Sequence, residues 1–142
     1  MARQRVAVVV VLHEGRVLVG RRSGEQPLAG FWEFPGGRVV PGETPRAAAV
    51  RECREETGLA VCIGPRLMTV SHDYAHASVD VHFYCGAPAA RPAAPLPPFR
   101  WVPVRSLGEL VFPPANAPVL RWLLDQFESG RKAPSADGKN GV

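Results

Sequence analysis

A mixed β-sheet with helices on its faces is the α/β fold that this sequence predicts, and three observations carry the prediction. Two valine-rich runs, residues 5 to 12 and 16 to 21, flank the turn His13-Glu14-Gly15 and read as a core-packed hairpin. Strand-like segments follow at 60 to 71 and 78 to 85, the second alternating Val79, Val81 and Phe83 inward with Asp80, His82 and Tyr84 outward. Helical patterns at 45 to 57 and 116 to 127 are interleaved with them. Strands and helices mixed along one chain pack as layers around a shared core.

Each element has its local reason. Ser23, Gly24, Pro27 and Gly30 make residues 22 to 30 a loop, and Trp32 to Phe34 form a short strand ahead of the turn Pro35-Gly36-Gly37. Thr44 is an N-cap with Pro45 at the first helical position, Ala47 to Ala49 favour helix, and Gly58 is a stop. Five prolines between residues 87 and 98 exclude both helix and ladder and predict an irregular connection. Trp101-Val102 begins another short strand. Val119, Leu120, Leu123, Leu124 and Phe127 lie at helical spacing, with Asn116 as the expected cap.

The chain has 142 residues, 46% of them apolar and 21% charged, the mixture of one globular domain, here 1 to 128 with a disordered tail over 129 to 142. The longest apolar run, Val6 to Leu12, is far shorter than the ~20 residues that cross a bilayer, and no small-residue cleavage site follows it. Cys53, Cys62 and Cys85 form neither a CxxC pair nor a disulfide framework, so a reducing cytoplasm is the expected location. The net charge of 17 − 13 = +4 owes +2 to Arg131, Lys132, Asp137 and Lys139. It suits an anionic small substrate and is too diffuse for stable nucleic-acid binding.

Glu52, Glu55 and Glu56 lie at i, i+3 and i+4, which puts three carboxylates on one helical face beside the buried stripe. Such a cluster is either a solvated acidic face relieved by Arg51 and Arg54 or a cation site. The turn Gly36-Gly37 can present backbone oxygen, and Glu43 stands just ahead of the cap. Backbone oxygen next to clustered carboxylates is an all-oxygen set that suits Mg²⁺, with Mn²⁺ as the other option.

Residues Gly37 to Leu59, GRVVPGETPRAAAVRECREETGL, resemble a complete Nudix box, G-x5-E-x7-R-E-U-x-E-E-x-G-U, at Gly37, Glu43, Arg51, Glu52, Cys53, Glu55, Glu56, Gly58 and Leu59. The segments Trp32 to Gly37 and Phe112 to Asn116 resemble those of the MutT-like subgroup. That resemblance implies an α/β/α sandwich and Mg-dependent hydrolysis of nucleoside triphosphates to monophosphate and pyrophosphate. Residue by residue, it implies the Gly36 carbonyl, Glu52, Glu55 and Glu56 as metal ligands. Arg51 would hold the carboxylates, most directly Glu55, and Glu43 would brace the loop.

Some relatives take the proton on a glutamate before the last strand, but residues 81 to 108 hold no Asp or Glu. Glu52 then stands as first candidate for the base and Glu43 as second. Val40 occupies a position where many MutT-like boxes carry an acid. For the nucleobase, the resemblance points to Asn116, whose amide edge can pair bidentately with a purine, against helix capping as its other use. Arg22 is either a nucleotide contact or a surface arginine, and Phe34 with Val8 either lines a base pocket or fills core. His76 and His82 have no partners at metal spacing. The leading expectation is removal of oxidised nucleotides such as 8-oxo-dGTP. The alternatives are a CTP or modified-dCTP pyrophosphohydrolase, a dinucleoside polyphosphate hydrolase hinted at by Tyr74, and an inactive nucleotide-sensing module. Oligomeric state is not legible.

Overall fold

A computed structural model describes residues 3–91 and 94–128; the expected tail 129 to 142 lies outside them. The order is β1 (Gln4–His13), β2 (Arg16–Arg21), β3 (Trp32–Glu33), β4 (Gly36–Arg38), α1 (Pro45–Thr57), β5 (Val61–Asp73), β6 (Ser78–Pro88), β7 (Arg100–Pro103) and α2 (Ala117–Glu128), with 3₁₀ turns at Val104–Glu109 and Pro114–Asn116. The sheet runs β3-β2-β1-β6-β5, with β4 beside β1 and β7 beside β2. It is mixed, because β1 and β6 pair in parallel while the other pairs are antiparallel.

The run of valines in β1 follows from burial on both faces. Ala7, Val9 and Val11 pack with Leu18, Tyr84 and Phe99 against Ala48, Ala49 and Cys53 of α1. Val8 and Val10 point the other way, packing with Phe83, Val104 and Leu107 against Val119 and Leu123 of α2. The result is the expected sandwich of helix, sheet and helix. Tyr84 is a correction: it faces away from Phe83 as the alternation requires, yet it is buried under α1 rather than exposed.

The expected hairpin pairs only at its tip, Leu12 with Val17 and His13 with Arg16. Beyond it β1 runs to β6 and β4 while β2 runs to β7 and β3, so the two strands diverge and leave a cleft between them. Gly36-Gly37, expected as turn, is strand β4 instead, since Gly36 pairs with Val8 and Gly37 with Ala7. Residues Ala87 and Pro88 extend β6 by pairing with Cys62 and Val61, so the irregular connection begins later than expected. Thr44 caps α1 by accepting the Ala47 N–H at 3.1 Å, and Gly58 ends it in the left-handed region.

Candidate active site

The sequence places α1 so that its acidic edge meets β4. A Cβ on Gly37 would collide with the Glu52 carboxylate, so a glycine here leaves that side chain in its place against the strand. The Gly36 N–H donates to Glu56 Oε1 at 2.9 Å. Glu52 and Glu56 thereby lie against Gly37 and Gly36, while Glu55 meets Arg51 and is the more exposed.

Arg51 sits among the acids. Its Nε donates to Glu43 Oε2 at 2.7 Å, its Nη2 to Glu43 Oε1 at 3.0 Å, and its Nη1 reaches Glu52 at 2.9 Å and Glu55 at 3.2 Å. Its tightest partner is therefore Glu43, bound through both oxygens, rather than Glu55. Planar guanidinium and planar carboxylate match in this two-pronged pairing, whereas Glu55 is the most exposed of the three partners. Glu43 also accepts the Val40 N–H at 3.2 Å, and Arg51 donates to the Arg38 carbonyl, so the pair ties the loop before the helix to the helix.

The electrostatics separate Glu43 from Glu52 and Glu56. The Arg51 guanidinium holds the Glu43 carboxyl below its ordinary range. Burial raises Glu52, with Arg51 opposing. Burial also raises Glu56, to about 7, and the nearby Glu33 and Glu52 charges add to the rise against the Gly36 N–H. Negative charge thus accumulates where a divalent cation would relieve it. The donors are hard oxygens, which fits Mg²⁺ or Mn²⁺. Among the described residues no three acidic, histidine or cysteine side chains converge on one ligating point, because Arg51 and the Gly36 N–H each hold carboxylates.

A cavity of about 230 Å³ opens where β1 and β2 diverge, running from Gly36, Gly37 and Arg38 past Val8, Phe34 and Glu33 to Asn116 and Pro113. Phe34 serves both expected uses: it is buried, packs on Phe112 with ring centres 4.9 Å apart, and lines the cavity. Arg22 also lines it, but is no free surface arginine, since Nη1 pairs with Glu33 at 2.8 Å and Nε donates to the Pro27 carbonyl. Asn116 is not the first residue of α2; it ends the 3₁₀ turn, and its Nδ2 donates back to the Pro113 carbonyl at 3.1 Å. Sequence reasoning missed Glu33, Tyr74 and His76 as lining residues. Only the pairing of β2 with β3 and the β5–β6 turn bring them there, and no local pattern encodes either contact. His82 lies away from the cavity beside Thr69.

With this geometry in view, residues 6–122 match the model of the NUDIX domain. The chain belongs to the Nudix family. It is 29% identical over 129 residues to the 8-oxo-dGTP diphosphatase of Escherichia coli K12, covering 87% of this chain and 98% of that enzyme. It is 32% identical over 77 residues to the CTP pyrophosphohydrolase of the same organism, a match spanning 54% of this chain and 57% of that enzyme's length. The MutT structure from Methanosarcina mazei Go1 superposes with a TM-score of 0.71 at 25% identity, covering 92% of this chain and 96% of that one. This chain is a Nudix hydrolase of the pyrophosphohydrolase kind, and Nudix hydrolases generally use divalent cations.

Proposed function

We propose that this Nudix protein hydrolyses oxidised purine nucleoside triphosphates, 8-oxo-dGTP foremost, to monophosphate and pyrophosphate with Mg²⁺. The observation that supports this reading is one cavity lined both by Asn116 and by the Gly36–Gly37 strand, whose Gly36 N–H donates to Glu56 on the acidic edge of α1. A nucleobase at Asn116 puts its phosphates toward that edge. The resemblance of the chain to an 8-oxo-dGTP diphosphatase over almost all of that enzyme's length supports the choice of base.

Glu52, Glu55, Glu56 and the Gly36 carbonyl would hold the metal, which when bound neutralises phosphate charge and lowers the pKa of water. Water attacks the β-phosphorus, the bond from that phosphorus to the bridging oxygen of the α-phosphate breaks, and the nucleoside monophosphate departs. Glu52 takes the proton. Glu43 is the poorer base, because Arg51 occupies both of its oxygens and favours its charged form. Arg51 and Glu43 position the acids. Asn116 selects the base through its amide edge, since oxidation at C8 turns guanine N7 from acceptor to donor. Because Cys53, Cys62 and Cys85 form no disulfide, we place the reaction in the cytoplasm.

The test is pyrophosphate release across 8-oxo-dGTP, dGTP, CTP, 5-methyl-dCTP and diadenosine polyphosphates, comparing kcat/KM in wild type, Asn116→Ala and Glu56→Gln. The expected result is a large preference for 8-oxo-dGTP that collapses in Asn116→Ala, with turnover abolished in Glu56→Gln. A cytidine preference indifferent to Asn116 would transfer the assignment to the activity named for the CTP pyrophosphohydrolase relative. Activity of Glu56→Gln within a few fold of wild type would remove the metal assignment.

A further inference from the structure

Tyr74 stands at the start of the β5–β6 turn, far in sequence from Asn116, and its hydroxyl accepts the Ala115 N–H at 2.9 Å across 41 residues. Ala115 is 3% exposed, and the phenol oxygen is the acceptor that meets its N–H. The ring is itself fixed. The Tyr74 N–H donates to the Ala77 carbonyl at 2.8 Å, the His72 ring packs on one side at 4.4 Å, and the His76 ring stacks at 5.4 Å and 19°. Asn116 is hooked onto the same turn, with its backbone N–H and its Nδ2 both donating to the Pro113 carbonyl, at 3.0 and 3.1 Å. A short 3₁₀ turn has weak internal hydrogen bonds, and side-chain anchors of this kind decide its geometry.

From this chain of contacts we propose that Tyr74 is a positioning residue for base selection. Its hydroxyl fixes the turn Pro114–Asn116 and thereby aims the Asn116 amide into the cavity that both residues line. The proposal rests on the reading of that cavity as a nucleobase pocket. It also gives Tyr74 a role other than the one the dinucleoside polyphosphate comparison offered: the hydroxyl is an internal acceptor that orients a neighbour. Binding a base through Asn116 requires an amide edge held within a few tenths of an ångström, and a half-buried tyrosine in contact with the His72 and His76 rings is a support for it.

Tyr74→Phe keeps the ring and removes only the acceptor. In this variant kcat/KM for 8-oxo-dGTP should fall about tenfold, with the loss carried by KM, while that for dGTP changes less than about twofold. The selectivity ratio of Tyr74→Phe/Asn116→Ala should be no lower than that of Asn116→Ala alone, because both changes remove one interaction. Amide exchange of Ala115, measured by NMR without nucleotide, should be slow in wild type and at least tenfold faster in Tyr74→Phe. A merely structural tyrosine would lower the melting temperature and both substrates equally, leaving the ratio intact. An unchanged ratio in Tyr74→Phe beside a collapsed ratio in Asn116→Ala overturns this inference and leaves the pocket reading standing. An unchanged ratio in Asn116→Ala overturns the pocket reading instead, and the inference about base selection goes with it. Fast Ala115 exchange in wild type overturns the anchoring itself.

Discussion

Gly36 and Gly37 adjoin in sequence and meet different obstacles. A Cβ on Gly36 would lie 2.5 Å from the Ala7 carbonyl oxygen and 2.9 Å from the Val8 Cα, both backbone atoms of the central strand β1. A Cβ on Gly37 would meet only the end of the Glu52 side chain, which can swing away. Gly36→Ala should therefore destabilise the fold by about 1–3 kcal/mol or more. Gly37→Ala should melt close to wild type yet lose about 100-fold in kcat, because a catalytic group displaced by an ångström costs that much. Thermal melts and turnover on one substrate separate the two, and a Gly37→Ala enzyme with wild-type kcat would remove Glu52 from the chemistry.

At the scale of elements, α1 carries the site and is held at both ends. Thr44 closes its first turn, and at its end Gly58 adopts φ 77° while its N–H returns to the Arg54 carbonyl. The proline-rich connection docks there, with the Leu96 N–H donating to the Thr57 carbonyl at 2.9 Å. An alanine at 58 would take up a left-handed conformation and press its Cβ to 3.3 Å from Leu96. Gly58→Ala should cost about 1–2 kcal/mol in a denaturant melt, while Glu52, two turns away, keeps its place and kcat stays within a few fold. A large drop in kcat would mean that the connection and the site are mechanically joined.

For the whole molecule, unpaired charge in the site links stability to pH and metal. Burial lifts Glu56 to about 7 from an ordinary 4.5, so between those values the folded protein binds more protons than the unfolded chain. The raised Glu56, with Glu33 and Glu52 also raised, should make stability of the metal-free protein fall as pH rises from 5 to 8, against the opposite slope from His82, which burial lowers. Glu43, Asp73 and Asp80, all lowered by arginine partners or hydroxyl donors, contribute stability that is lost only in stronger acid. Mg²⁺ needs ionised ligands, so it should raise the melting temperature more at pH 8 than at pH 5. Melting curves with chelator and with Mg²⁺ check both signs. A flat metal-free profile, or a Mg²⁺ effect larger at pH 5, would contradict the placement of Glu56.

Read from sequence alone, α1 with its caps, the strand runs and the acidic face at i, i+3 and i+4 are all determined, because capping, period and spacing are local properties of a few consecutive residues. The Nudix box is legible for the same reason, being one contiguous stretch of 23 residues. Tertiary structure decided the rest. It turned the Gly36-Gly37 turn into a strand against β1, gave Arg51 to Glu43 before Glu55, and directed the Asn116 amide, at the residue just before α2, back to the Pro113 carbonyl. It also brought Glu33 to Arg22 and the Tyr74 hydroxyl to Ala115. These are pairings between segments distant along the chain, fixed by strand register and by which buried donors lack an acceptor. No window of neighbouring residues contains that information.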